Sequence, residues 1–375
     1  QLWAGRLVAV DVCLTAWLAA VLRSGNLSSF LGSRQGKWAT FAVACRVCHR
    51  WLHGVSSLPF IPAQVLYYQG EFLKCLPRSL RDHQTRLAVR MFQAASRLSM
   101  IENAHDLSVA TPDGVDLSGM YFRGQNAAGP TALDGPTVIY FNPNAGAWED
   151  VDGDMVETYV EAGINVVVFN YRGVSNSRWQ KILGSAWLGE AVGRYLTLER
   201  DGVERDCDAV LQLVVNGLKV PPSKVLLVGQ SIGAGLSLQA AARCHSQVGV
   251  CNRRSFSSLA SLAGWHAPRL LRLRHASTWF HLVSASIPIM VKVLGWNINS
   301  VEAWNQMRGF KWVEYAENDR IIPDSVSLVR DVETQRVVRF AGLLNEDNHN
   351  RTLTEEEREK HIALVKTALA IDDQA

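Results

Sequence analysis

Ser231 stands in Val228-Gly229-Gln230-Ser231-Ile232-Gly233-Ala234-Gly235, a segment whose residue types and spacing could support covalent chemistry. A serine hydroxyl is a weak nucleophile unless it is exposed and held against a base. A sharp strand-to-helix turn presents it in that way, but crowds the residues two before and two after. Glycine at both places, Gly229 and Gly233, relieves the crowding, and Gly235 lets the following helix approach the sheet. The pattern is short, and an ordinary strand-to-helix turn also matches it. Here it follows the apolar run Lys224-Val225-Leu226-Leu227-Val228 and precedes a small-residue, helix-compatible stretch, which is the context the chemistry requires.

A nucleophile of this kind takes its partners from downstream, first an acid and then a histidine. Asp319 lies just past the strand expected over Lys311 to Ala316, in Tyr315-Ala316-Glu317-Asn318-Asp319-Arg320-Ile321-Ile322-Pro323. The alternative acid position, after Cys251, holds Asn252 and Arg253, so no carboxylate competes there; Asp324 is the fallback. Only His349 and His361 follow Asp319. His361 falls inside the last helix, where covering a surface or packing against a neighbour is expected. His349 lies in the polar loop Asn345 to Asn350, from which an imidazole can reach across the sheet top. In this arrangement Asp319 fixes the His349 tautomer and His349 takes the Ser231 proton. The bland readings are a loop aspartate that caps the next helix and a solvated loop histidine. Two N–H donors must face the developing oxyanion. They are expected from Ile232 and from Asn144, with Ala145 as the neighbour that could replace the latter.

The elements that must position these residues are legible in the patterning. Leu107 to Thr111 and Val115 to Arg123 alternate about Pro112-Asp113-Gly114, a hairpin signal. A strand–helix rhythm follows. Strands are expected over Thr137 to Asn142, Asn165 to Tyr171, Lys224 to Gly229, Gln247 to Cys251, Lys311 to Ala316 and Arg336 to Phe340. Val151, Met155 and Tyr159 mark one helix, and Val203 to Val214 another that closes near Gly217. Thr354 with Glu357 makes a capping box that opens the last helix. The expected fold class is α/β: a mostly parallel, doubly wound sheet with helices on both faces and an antiparallel hairpin at one edge. Residues 1–105 read instead as an N-terminal helical extension, with Trp38 to Trp51 and Gln84 to Met100 its clearest helices.

With those segments in view, the chain from Leu107 to Ile371 resembles the α/β-hydrolase superfamily. Phe141 to Gly146 is similar to its His-Gly-Asn-Ala-Gly turn, and Asn170-Tyr171-Arg172-Gly173 to its Asp-Tyr-Arg-Gly segment. Asn318-Asp319-Arg320-Ile321-Ile322-Pro323 is similar to its Asp-x-x-Ile-Pro acid loop. The departure is Asn142-Pro143 in place of His-Gly, which could reshape the oxyanion loop. The resemblance implies a serine hydrolase acting on ester or thioester bonds, with amides also in reach, through a Ser231 acyl-enzyme. The competing expectation is a catalytically silent fold of this type serving as a binding or scaffold module.

Between about 253 and 299 the sheet rhythm is suspended, as for a cap insertion. Trp265, Leu270, Leu271, Trp279, Leu282 and Ile289 make this segment apolar, and Arg253, Arg254, Arg269, Arg272 and Arg274 make its start basic. Two expectations stand side by side. The cap could roof a hydrophobic acyl pocket with its arginines toward an anionic head group or membrane surface, or it could be plain helices packed on the sheet.

Composition narrows the partners. The 375 residues are 48% hydrophobic and 19% charged, which supports a large core and excludes global disorder. With 38 Lys and Arg against 35 Asp and Glu, a net charge of +3 gives no reason to expect nucleic acid. The expected partner is a small-molecule acyl substrate, with peripheral membrane contact through the N-terminal segment or the cap. Leu7 to Leu22, interrupted by Asp11, is short for a bilayer span. A cytoplasmic or peripherally membrane-associated location is expected. The seven cysteines are odd in number and scattered, and read as reduced thiols. Cys45-Arg46-Val47-Cys48-His49 matches a c-type haem attachment pattern and, with His53, part of a zinc site. It lacks a second cysteine pair and sits in a helix-like apolar stretch, so helix packing is expected. Neither metal nor organic cofactor is expected. The glycosylation triplets at Asn26 and Asn350 are of a kind common by chance.

Overall fold

The computed structural model describes residues 95–371 except 102, 126–134, 145, 175–177, 180–199, 294 and 344–346. The chain divides into two compact units, Gln1–Val55 and Ser56–Ala375, and the described residues all belong to the second. The expected N-terminal extension lies outside the described residues up to position 94, as do Asn26, Cys45, Cys48, His49 and His53.

A hairpin opens the sheet. Strands β1 (Ala104–Ala110) and β2 (Val115–Phe122) pair antiparallel. Thr111 closes the turn by accepting from Gly114 N–H and donating to the Val115 carbonyl, and Gly114 takes a φ of +84° that a side chain would oppose. There follow β3 (Thr137–Phe141), α1 (Gly153–Glu161), β4 (Asn165–Phe169), the two-residue β5 (Arg178–Trp179) and α2 (Arg200–Gln212). Next come β6 (Val225–Gln230), α3 (Ile232–Cys244), β7 (Gly249–Arg253), α4 (Leu259–Leu270), α5 (Thr278–Val293) and α6 (Ser300–Gln306). The chain continues through β8 (Lys311–Ala316), α7 (Leu328–Asp331), β9 (Val337–Phe340) and α8 (Glu355–Ala368).

The order across the sheet is β1-β2-β4-β3-β6-β7-β8-β9, with β5 attached to β2. Every pairing from β4 to β9 is parallel, whereas β1–β2, β2–β4 and β2–β5 are antiparallel. Alternate residues of a strand face opposite ways, so a strand covered on both sides must be apolar throughout. Strand β6 meets this demand. Val225 and Leu227 enter one core, shared with Val203, Cys207 and Val210 of α2 and with Leu236 of α3. Leu226 and Val228 enter the other, with Met155 and Tyr159 of α1 and Val365 of α8. Burying each large apolar side chain contributes roughly 1.5–3 kcal/mol relative to leaving it in water.

Buried polar groups fix the register between layers. Arg172, after β4, donates through Nε (2.9 Å) and Nη2 (2.7 Å) to Asp206 of α2, and through Nη1 to Asp113 of the hairpin turn (2.8 Å). One guanidinium therefore ties the opening hairpin to the sheet and to α2. At the far end Thr354 and Glu357 form the expected capping box at the start of α8.

One boundary differs from the sequence expectation in a way that matters. Strand β7 runs on to Arg253, because the hydrogen-bond ladder continues past the last apolar residue, Cys251. Arg253 and Arg254 are consequently buried at the end of the sheet and are not on a cap surface. The inserted region is a helical hairpin, α4 and α5. No helix among the described residues is long and apolar enough to cross a membrane.

Candidate active site

Ser231 sits between β6 and α3 with φ +55° and ψ −121°, a conformation that costs a residue with a side chain about 1–3 kcal/mol. Surrounding contacts hold it there. Its N–H donates to the Arg253 carbonyl (3.0 Å), and its carbonyl accepts from Ser255 Oγ (2.6 Å). The flanking glycines are required by space. A Cβ on Gly229 would lie 2.5 Å from Ala234 Cα, and one on Gly233 would lie 2.3 Å from the Phe141 carbonyl oxygen.

Asp319 and His349 meet. His349 Nδ1 lies 2.7 Å from Asp319 Oδ2, and both residues are buried. The other carboxylate oxygen of Asp319 accepts the N–H groups of Ile321 and Ile322, each at 2.8 Å, which fixes the carboxylate plane. The loop carrying His349 is held as firmly. Its N–H donates to Asp347 Oδ1 (3.1 Å), and its carbonyl accepts from Gln230 Nε2 (3.1 Å) and from an Arg254 Nη1 (3.0 Å) that also reaches the Arg351 carbonyl (2.7 Å). The residue before Ser231 thus grips the main chain of His349. No hydrogen bond joins the Ser231 hydroxyl to the imidazole among the described residues. Asp324, the fallback acid, opens a short 3-10 turn.

At the expected oxyanion loop, Asn142 is buried and its amide donates to the Phe169 carbonyl (2.6 Å), while Tyr171 donates its hydroxyl to the Asn142 carbonyl (3.1 Å). A tight turn follows, with Gly146 N–H on the Pro143 carbonyl (3.0 Å) and Asn144 exposed at its crest. Ala145 lies outside the described residues. Ile232 is the first residue of α3, where a main-chain N–H has no acceptor within the helix. A cavity of about 410 Å³ borders this region through Asn144, Gln230 and Arg254, and continues past Tyr140 to Met155 and Leu353 without including Ser231.

His361, expected to cover a surface or pack against a neighbour, is fully buried and packs against Tyr159 and Trp312. Glu314 links it to Arg253: Oε1 lies 2.5 Å from His361 Nδ1 and accepts from Trp312 Nε1 (2.9 Å), and Oε2 accepts from Arg253 Nε (2.8 Å). Burial pushes the Glu314 carboxyl up, but His361 and Arg253 together more than offset it and hold it well below the usual glutamate range. Ligand atoms of Cys251, Glu314 and His361 lie within 4.8 Å of one another. Arg253 already neutralises this cluster, and burial pushes the Cys251 thiol well up, so it is a charge-balanced strut more than a cation site. Gln230, Arg253, Arg254 and Glu314 carried no local sequence signal for these roles. The parallel register that sets Arg253 opposite Glu314 is what pairs them.

No family model matches the chain. It is 23% identical to an uncharacterized protein of Acanthamoeba polyphaga mimivirus over 176 residues, 47% of this chain and 51% of that protein. It is 26% identical to an uncharacterized protein of Mycobacterium tuberculosis over 200 residues, 52% of this chain and 63% of that one. The chain thus spans about half to just under two-thirds of the length of these curated relatives. Among solved structures, an alpha-beta hydrolase from Vibrio vulnificus is similar with a TM-score of 0.50 at 13% identity, over 83% of this chain and 93% of that one. Together with the strand order and the turn at Ser231, this likeness defines the architecture. The chain has the α/β-hydrolase fold.

Proposed function

We propose that this chain is a serine hydrolase that cleaves ester or thioester bonds through an acyl-enzyme on Ser231. The observation that carries the reading is the Asp319–His349 contact of 2.7 Å, on a loop whose His349 carbonyl is gripped by the residue preceding Ser231. Asp319 holds the Nδ1–H tautomer of His349, leaving Nε2 to accept a proton. Ser231 Oγ then attacks the acyl carbon as His349 takes its proton, and the carbonyl oxygen becomes an oxyanion. The N–H groups of Ile232 and Asn144 stabilise that oxygen. Collapse expels the alcohol or thiol, which leaves with the proton from His349, and water repeats the sequence to release the acid. The serine-to-imidazole contact is one that such sites tighten when substrate binds.

The Asn142-Pro143 departure is compatible with this reading. Asn142 points its amide into the sheet at Phe169, and Pro143 lies ahead of the proposed donor. Hydrolysis of p-nitrophenyl acetate and p-nitrophenyl butyrate tests the proposal. Activity that falls by about 10³-fold or more in Ser231→Ala supports it. Equal turnover by the variant, or none by the wild type, would favour the catalytically silent module.

A further inference from the structure

The hairpin of α4 and α5 is closely packed within and apolar without. Inside, Pro288 approaches Gly264 so tightly that a Cβ there would lie 2.7 Å from the proline ring, and Ser284 Oγ donates to the Gly264 carbonyl (3.1 Å). Arg269 lies over the Trp265 ring at 3.8 Å, and His275 stacks on Phe280 at 4.0 Å. Outside, Trp279, Leu282, Ile289 and Val293 recur at helical spacing along one side of α5 and are 69%, 53%, 63% and 78% exposed. Leu270 and Leu271, at the end of α4, are 78% and 62% exposed. Phe280 is the one buried residue of this 16-residue helix. An apolar stripe of this kind, broken only by the small Ser286, marks an interaction surface.

Charge bears on what could cover it. From Leu259 to Val293 the sequence holds Arg269, Arg272, Arg274 and Lys292 and neither Asp nor Glu. Arg272 and Arg274 are exposed beside the apolar stripe, at the turn between the helices. A second copy would bring the same four cations against these. An apolar face rimmed by cations that form no ion pair among the described residues, and carrying an exposed tryptophan, suits the surface of a bilayer that contains anionic phospholipid.

We propose that the α4–α5 hairpin docks this chain onto anionic membrane surfaces. The hairpin also touches the candidate active site, since the His266 ring nitrogen lies 2.8 Å from the carbonyl of Ile321, two residues beyond Asp319. If the hydrolase reading above holds, docking places the site where acyl esters of the bilayer are delivered, and that extension alone rests on it.

Flotation of the full chain with vesicles tests the docking without turnover. Vesicles of phosphatidylcholine mixed with phosphatidylglycerol should carry the chain upward, and phosphatidylcholine alone should carry much less. Leu282→Ser/Ile289→Ser and Arg272→Glu/Arg274→Glu should each weaken binding to the mixed vesicles by about tenfold or more. Both variants should keep the wild-type circular dichroism and melting profile, which separates lost docking from lost folding. Unchanged vesicle binding by folded variants would overturn the proposal and assign binding elsewhere in the chain. A concentration-dependent dimer abolished by Leu282→Ser/Ile289→Ser would also overturn it, by showing that a second copy covers the face. Because flotation needs no catalysis, failure of the hydrolase reading would leave this result intact.

Discussion

Gln230 and His349, 119 positions apart, are joined by a hydrogen bond of 3.1 Å from the Gln230 amide to the His349 carbonyl. The residue before the proposed nucleophile therefore sets the position of the proposed base through its main chain. Tyr140 donates its hydroxyl to the same amide's oxygen (3.2 Å), fixing which way the amide faces. Gln230→Ala removes this grip but leaves the bonds from Arg254. It should lower kcat for p-nitrophenyl butyrate by about fivefold with little change in KM, since about 1 kcal/mol of positioning is lost. Steady-state kinetics on the purified variant measures it.

Asp319→Asn separates the two tasks of this carboxylate. The amide oxygen can still accept from Ile321 and Ile322, so the melting temperature should change little. The amide cannot serve His349 in the same tautomer, and kcat should fall by about 10⁴-fold. A loss of activity matched by a comparable loss of stability would show that the residue is structural.

Gly233→Ala tests the crowding at the turn. The added methyl would sit 2.3 Å and 2.4 Å from the carbonyl oxygens of Phe141 and Asn142, both main-chain atoms that cannot swing aside. The expected cost is about 3 kcal/mol in chemical denaturation. What activity survives should be reduced, because the displaced segment leads directly into Asn144.

The buried strut of Arg253, Glu314 and His361 predicts a pH dependence of stability. Glu314 is held below the 4.5 of an ordinary glutamate, so the folded chain binds this proton more weakly than the unfolded chain. Its contribution is complete above pH ~4.5 and is lost as pH falls through the folded value. Glu314→Gln should lose about 3–5 kcal/mol at neutral pH, because Arg253 is left buried without its partner. Its denaturation midpoint should also fall less steeply between neutral and acid pH than that of the wild type.

These consequences were unevenly legible in the sequence. The parallel sheet could be read because β6 and its neighbours are apolar on both faces, and the opening hairpin because Pro112-Asp113-Gly114 interrupts two alternating runs. The meeting of Asp319 with His349 follows from chain order and from the polar loops that carry them; its catalytic use is the proposal above. Hydropathy failed where charge is buried. Arg253 and Arg254 read as a basic cap edge because the apolar run stops at Cys251, yet backbone pairing carries the strand further and Glu314 neutralises Arg253 from the next strand. The roles of Gln230 and Arg254 were invisible for a related reason. Each serves a main-chain carbonyl far along the chain, and a carbonyl has no sequence signature.

Fluorophosphonate labelling followed by peptide mass mapping is the sharpest test of an acyl-enzyme at Ser231, because the reagent reports an activated serine whatever the natural substrate. Covalent modification is expected at Ser231, absent in Ser231→Ala and strongly slowed in His349→Ala. A folded wild-type chain that stays unmodified, or one modified at a different serine, would rule out Ser231 as the nucleophile.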